Sequence, residues 1–274
     1  MSDYTGVRGR RWFEALTGSA APMSGDPASA LVADAELGGE MARFAAVVPD
    51  PQGLFPRARQ GEVGLEQAYA LAARVREMIA MDRDRIRRPL IAIVDVKSQA
   101  YGRREEMAAI YMAGAAAVDA YATARMEGHP VIALIVGHAF SGAFLAHGYQ
   151  ANRILAFDDP GVVIHAMHKE AAARITRRSL LELDRLGKQI APLSYDIRDY
   201  ATLGLLHALL HVENPETPQP GEVQMVRAQL IAAVKDTRVG PRDLSCRLTS
   251  AQAQTARRAT LLVRRKLEEQ WAEV

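Results

Sequence analysis

Val131-Ile132-Ala133-Leu134-Ile135-Val136-Gly137-His138-Ala139-Phe140-Ser141-Gly142-Ala143-Phe144 is the stretch that decides the fold. Six consecutive apolar residues, mostly β-branched, read as a strand buried on both faces. Small residues then follow, and the spacing predicts a helix over 137–148. A strand of this kind seldom stands alone. Upstream, Leu90-Ile91-Ala92-Ile93-Val94-Asp95-Val96 is a second continuous apolar run. Downstream, Arg153-Ile154-Leu155-Ala156-Phe157 is a third, followed by a turn at Asp158-Asp159-Pro160-Gly161 and a short strand over Val162-Val163-Ile164. Helical periodicity over 65–81, with Ala68, Leu71, Ala72, Val75, Met78 and Ile79 on one face, separates the earlier strands. A second alanine-rich helix is expected over 105–125. The middle of the chain therefore alternates helix and buried strand, the pattern of a layered α/β protein.

Outward from this centre, Ala30–Leu37 and Ala42–Pro49 read as two short strands broken at Gly38-Gly39. The first 25 residues mix Gly, Arg, Ser and Pro and read as an irregular arm, with Trp12, Phe13 and Leu16 as one docked helical turn. From Lys169 onward the pattern is mainly helical. The expected organisation is one domain over residues 1–274, with the arm over 1–25 and the helical part over 169–274. With 274 residues, 49% hydrophobic and 24% charged, the chain has ample material for a core and lacks the composition of a disordered protein. Thirty-four Lys and Arg against 32 Asp and Glu leave a net charge of +2, which argues against a nucleic-acid binder. A single cysteine, Cys246, rules out an internal disulfide. No apolar stretch approaches the roughly 20 residues of a membrane helix, and no signal-peptide pattern is seen, so a cytoplasmic protein with no membrane partner is expected.

Two strand ends carry the chemistry. At the end of Val131–Val136, the small side chains of Ala139, Ser141, Gly142 and Ala143 let a ligand oxygen approach main-chain N–H groups. The first amides of a helix lack helical partners, and the helix dipole is positive there. An oxyanion hole is built in this way, and tight helix–sheet packing selects the same residues. Gly137, His138 and Phe140 in the same stretch are candidates for substrate contact. At the end of Leu90–Val96, the loop Ser98-Gln99-Ala100-Tyr101-Gly102 also leads into a helix, so Ser98, Gln99, Tyr101 and Gly102 are candidates to position substrate. Ala139-Phe140-Ser141-Gly142-Ala143 equally resembles a loose nucleophile elbow, with alanine where both flanking glycines usually stand. A serine hydrolase on Ser141 would draw its base from His165, His168, His207 or His211. His165/His168 and His207/His211 each pair two histidines on one helical face but lack the glutamate of a zinc motif, so no metal is expected. Arg257, Arg258, Arg264, Arg265 and Lys266 read as a solvated helix face, or as a dock for an acidic partner.

The stretches Asp95–Gly102, Gly137–Phe144 and Asn152–Met167 together resemble the C-terminal half of acyl-CoA carboxyltransferases. Within that superfamily, Arg8-Gly9-Arg10-Arg11-Trp12-Phe13 and Met167-His168-Lys169-Glu170-Ala171-Ala172-Ala173-Arg174 resemble the gamma-subunit family of malonate decarboxylases. Ser141 stands where biotin-dependent relatives carry the first of two glycines, and no Met-Lys-Met biotinylation site occurs. The resemblance implies an α/β crotonase-like fold, a β-β-α spiral with sheet layers covered by helices. It implies decarboxylation of a malonyl thioester to an acetyl thioester and CO2. The partners it implies are a homologous beta subunit, an acyl carrier protein and an acyl carrier transferase subunit. No cofactor is implied in this chain, because the substrate rides on the prosthetic group of the separate carrier. Gly142 and Ala143 would be main-chain donors to an oxyanion, Ser141 a neighbouring polar group, and Ser98, Gln99, Tyr101 and Gly102 the opposing loop. Whether the hole would hold the enolate oxygen or the carboxylate stays open, as does a noncatalytic scaffold role.

Overall fold

The computed structural model describes residues 6–272; the ends of the expected arm and C-terminal part, residues 1–5 and 273–274, lie outside the described residues. Along the chain run α1 (Val7–Thr17), β1 (Ala30–Leu37), β2 (Glu40–Val47), α2 (Leu65–Met81), β3 (Leu90–Val96), α3 (Arg103–Met107) and α4 (Ile110–Met126). They are followed by β4 (Val131–Phe140), α5 (Ser141–Ala146), β5 (Arg153–Phe157), β6 (Val163–His165), α6 (Lys169–Thr176), α7 (Leu180–Gly187) and α8 (Ile197–Thr202). The last elements are β7 (Ala208–Leu210), α9 (Pro220–Val239), α10 (Cys246–Thr249), α11 (Ala251–Ala256) and α12 (Arg258–Ala272). Among the described residues no helix is long and apolar enough to cross a membrane.

One seven-stranded sheet runs β1-β2-β3-β4-β5-β7, with β6 added alongside β4. The β1–β2 hairpin is antiparallel and every other pairing is parallel. Every residue of β3 is buried, so helices cover the sheet on both faces, as the unbroken apolar runs require. Alanine sets the spacing of the helical layer. Ala68 and Ala72 of α2 and Ala113, Ala117, Ala120 and Ala124 of α4 are almost wholly buried where these helices pack together.

Four local expectations are corrected. The arm is not irregular: Val7–Thr17 forms a regular helix, with Gly9, Trp12, Phe13 and Leu16 on its buried face. The Trp12 ring meets Phe157 edge-on at 4.7 Å, and its indole N–H donates to the Pro215 carbonyl at 2.8 Å. The helix expected over 105–125 is two helices, broken where Ala109 takes a left-handed conformation, φ 58°. β4 does not end at Val136 but continues through Gly137 to Phe140, so α5 starts only at Ser141. The helical C-terminal part also contains the short strand β7, which extends the sheet beside β5.

The long β4 works in two halves. Ile132–Ile135 pair with β3 and β5, and His138–Phe140 pair with β6. A buried carboxylate holds the junction. Asp95 accepts the His138 N–H through Oδ1 and the Gly9 N–H through Oδ2, each at 3.1 Å. Burial pushes this carboxyl upward, while the two N–H donors and the nearby Arg8 charge pull the other way. Gly137 lies directly over it, and a Cβ there would overlap Asp95 Oδ1.

A second buried polar group ties α5 to the sheet. His147, fully buried at the end of α5, donates from Nε2 to the Ile93 carbonyl at 2.9 Å. A carbonyl only accepts, so the proton sits on Nε2, and Nδ1 accepts the Tyr121 hydroxyl at 2.9 Å. Burial lowers its pKa to about 4.

Two predictions follow from these contacts. Gly137→Ala, crowding a carboxylate that cannot retreat, is expected to cost about 1–3 kcal/mol of stability in urea unfolding. Gly114→Ala, mid-helix in α4 with open space around it, is expected instead to stabilise by about 0.5–1 kcal/mol; equal effects at both positions would refute the Asp95 contact. For His147 the folded pKa lies below the unfolded value, so the unfolded chain binds more protons in acid. Its contribution is complete above the ordinary histidine value of 6.5 and is lost as pH falls through about 4. Proton NMR of the ring should show His147 neutral at pH 5, and a ring titrating near its ordinary value would overturn the assignment.

Candidate active site

The two strand ends singled out in the sequence come together. The loop after β3 is stitched to the segment before α2 by main-chain bonds. Lys97 N–H donates to Gly61, Val63 N–H to Ser98 and Ala100 N–H to Val63, at 2.9–3.1 Å. Ser98 is buried and spends its hydroxyl on the Gln99 carbonyl at 2.9 Å. This brace aims Gln99 and Tyr101 at the head of α5. The Tyr101 hydroxyl and Ser141 Oγ are hydrogen-bonded at 2.5 Å. The Gln99 amide oxygen fills the space where a Cβ on Gly142 would stand, so any larger residue at 142 displaces it. Gly102 precedes α3, and there the buried Glu105 carboxylate takes the equivalent space.

Ser141 is the strained residue of this site, with φ 59° at the step from β4 into α5. A side-chain-bearing residue in the left-handed region costs roughly 1–2 kcal/mol. The cost is met here at a junction that turns a strand directly into a helix. The next amides, of Gly142 and Ala143, have no acceptor within their own helix. Their surroundings differ. Gly142 borders two clefts, whereas Ala143 is wholly buried and borders neither.

The first cleft, about 240 Å³, is apolar, with Val63, Ile110, Tyr111, Leu145 and Gly142 among its walls and Gln99 at its edge. The second, about 300 Å³, lies on the other side of Ser141 and Gly142 and reaches His165, Tyr200, Leu205 and Arg257. Gln99, Tyr101, Ser141 and Gly142 thus form the accessible part of the candidate site. Gly137, His138, Phe140 and Ser98 lie beneath it. Gly137 and the His138 amide serve Asp95, and the His138 ring meets Phe140 edge-on at 5.4 Å. Burial, with His168 nearby, holds the His138 ring down to about 4. Phe140 is buried and stacks on His168 at 4.4 Å.

Ser141 Oγ is hydrogen-bonded to Tyr101, and among the described residues no histidine nitrogen reaches it. His165 borders the same cleft, but its Nδ1 is engaged by the Met167 backbone and its ring stacks on Tyr195 at 4.1 Å. His207 lines a separate cavity with Asn152 and Asp236. Among the described residues no three His, Cys, Asp or Glu side chains are grouped to hold a metal ion. The walls from α4, and His165, Tyr200 and Arg257 as parts of one cleft, were not readable as site residues: they reach it by long-range folding, with no local motif.

The chain is 57% identical to a chain of a Pseudomonas malonate decarboxylase hetero-tetramer solved in complex with coenzyme A, with TM-score 0.92, covering 97% of this chain and all of that one. It is equally 57% identical to a chain of the Pseudomonas malonate decarboxylase MdcD-MdcE hetero-dimer, with TM-score 0.89, covering 96% of this chain and 99% of that one. A Malonomonas rubra protein named malonyl-S-ACP:biotin-protein carboxyltransferase MADD is 36% identical over 138 residues, 49% of this chain and 47% of that protein. The chain thus matches about half the length of that curated relative. Transcarboxylase 12S shares the fold at 18% identity, with TM-score 0.64, over 87% of this chain and 43% of that one, which fits a crotonase-like architecture. The profile of the malonate decarboxylase gamma subunit matches residues 58–271, so the chain belongs to that family.

Proposed function

We propose that this chain acts with a homologous beta subunit to convert malonyl-S-acyl carrier protein into acetyl-S-acyl carrier protein and CO2. The observation that carries the reading is Gly142: at the head of α5, bordering two clefts, its amide makes no hydrogen bond among the described residues, and Gln99 keeps the position bare of side chain. In the reaction the bond between the α-carbon and the carboxylate breaks and CO2 leaves. Its electron pair passes into the thioester as an enolate, and a proton then returns to the α-carbon. The enolate oxygen needs donors already in place, because an N–H that does not reorganise stabilises developing charge most. The Gly142 amide is that donor, and the Tyr101–Ser141 pair is a polar wall beside it. Ala143, being buried, acts by shaping the turn. No cofactor bound to this chain enters these steps; the thioester is carried by the prosthetic group of the separate carrier, which an acyl carrier transferase subunit loads.

A partner on this face is supported by its surface. Tyr111 and Leu145 of the first cleft are substantially exposed, as are Tyr101 just before α3, Met107 of α3 and Met112 of α4. Apolar groups concentrated at the rim of a polar site favour a covering protein. Covering would also exclude water and so strengthen the amide's hold on the oxyanion. The Pseudomonas relative of the second comparison was solved as a hetero-dimer with MdcD.

The test is reconstitution with the beta subunit and carrier, following acetyl-carrier formation. Gly142→Val is expected to leave assembly intact and lower turnover by about 10²–10³, the usual cost of one oxyanion donor. Near-wild-type turnover in that variant would refute the assignment. Ser141→Ala is expected to retain most activity, since the amide remains. A loss of several powers of ten in a folded Ser141→Ala protein would instead point to a serine nucleophile.

A further inference from the structure

We infer that Arg257 is an anion-binding residue of the cleft beside Ser141 and Gly142, taking an oxyanion of the thioester substrate: its carboxylate, or the phosphate of its carrier arm. The inference rests on the proposed reaction and names a group in it that neither strand-end motif contains.

The first observation is charge. Ser141, Gly142, His165, Tyr200, Leu205 and Arg257 border this cleft, and among the described residues no acidic one does. Burial lowers His165 below its ordinary value, and burial pushes Tyr200 up to about 12, so both are neutral near pH 7. Arg257 therefore supplies the positive charge of the cleft, and no carboxylate there balances it. A concave, partly desolvated surface of one sign draws in ligands of the other.

The second observation is how Arg257 is held. It sits at the kink between α11 and α12, with φ −107° and ψ 26°. Its N–H donates to Ala253 at 2.8 Å, and its carbonyl accepts from Leu261 at 3.0 Å. Its Nε donates to the Leu203 carbonyl at 2.7 Å. One edge of the guanidinium is thereby fixed by the protein. Among the described residues its two terminal nitrogens make no hydrogen bond and no ion pair. The well-buried arginines are engaged differently. Arg8 pairs with Asp159, Arg43 with Asp34, Arg88 with Asp82 and Arg153 with Asp236. Arg125 and Arg247 make no ion pair among the described residues but donate from terminal nitrogens to main-chain carbonyls, of Arg242 and of Tyr149 and Ala151. A tethered arginine whose fork is left open toward a cleft is arranged for a planar, two-oxygen ligand.

The test uses the assembled complex with the beta subunit and two probes. Malonyl-pantetheine carries the carboxylate without phosphate, and acetyl-phosphopantetheine carries the phosphate without the carboxylate. Binding is measured by calorimetry for wild type, Arg257→Met and Arg257→Lys, with assembly checked by size-exclusion chromatography. Arg257→Gln replaces the methionine variant if that one fails to assemble. Arg257→Met is expected to weaken one probe by about 10- to 100-fold, the loss of a charge-assisted pair, and the probe affected identifies the oxyanion. Lysine should restore part of the affinity, because a point charge replaces the fork. Unchanged Kd for both probes in Arg257→Met, or failure of wild type to bind either, overturns the inference. If wild type binds through Arg257 yet forms no acetyl thioester from malonyl-carrier protein, the reaction proposed above falls and the anion site stands.

Discussion

The structure turns on the carboxylate of Asp95. It sits next to last in the buried run of β3, takes one N–H from α1 and one from the second half of β4, and is roofed by Gly137. Burying such a group without partners costs several kcal/mol, so its two N–H donors are a condition of the fold rather than an ornament. The consequences run outward. Because the His138 amide is committed to Asp95, β4 stays extended past the point where its partnership with β5 ends. The extension lets β6 join and carries the chain to Ser141 before helix begins. The same carboxylate anchors α1, whose Arg8 bridges to Asp159 and Glu216 and whose Trp12 packs on Phe157. One side chain thus couples the N-terminal helix to the position of the candidate site.

This explains which parts of the fold were legible in the sequence. Runs such as Leu90–Val96 and Arg153–Phe157 announce buried strands, because only a doubly covered strand is apolar at every position. Gly137 was misleading for a physical reason. A glycine after an apolar run reads as a turn, but here it answers a carboxylate on the neighbouring strand, and the strand continues. In α1 the buried face was present as Gly9, Trp12, Phe13 and Leu16. The glycines and arginines around it hid the period. The strand β7 is three residues long, too short for any periodicity to reveal.

The candidate site divides in the same way. The ends of β3 and β4 were readable, because parallel strands with helical crossovers bring their carboxyl ends to one edge. Residues in those two loops accordingly meet, Tyr101 on Ser141 and Gln99 on Gly142. Arg257 was readable only as one member of a basic run. Its distinction lies in the bond to Leu203 and in the packing of α11 against α8 that brings it to the cleft, neither of which has a local signature.

Electrostatics make the site directional. The histidines nearest the turn, His138 and His165, are both held toward the neutral form by burial, so they contribute no charge to a bound anion. Under the proposed reaction, an oxyanion near Ser141 would have two kinds of partner on this chain: the uncharged main-chain dipole of Gly142, beside the Tyr101 and Ser141 hydroxyls, and the guanidinium of Arg257. These suit different charges. A permanent anion such as a carboxylate or phosphate binds best to a full opposite charge. An oxygen that becomes anionic only during reaction is better served by a fixed dipole that leaves the ground state alone. Strong attraction for the carboxylate would by itself oppose its loss as neutral CO2. Under the proposed reaction, dividing the two tasks between Arg257 and the Gly142 amide, which border one cleft, would separate holding the substrate from stabilising the enolate. The remaining wall, around the exposed Tyr101 and Leu145, lies open on this chain. Under the proposed reaction, a site arranged in this way would be one surface of a compartment that a second subunit closes.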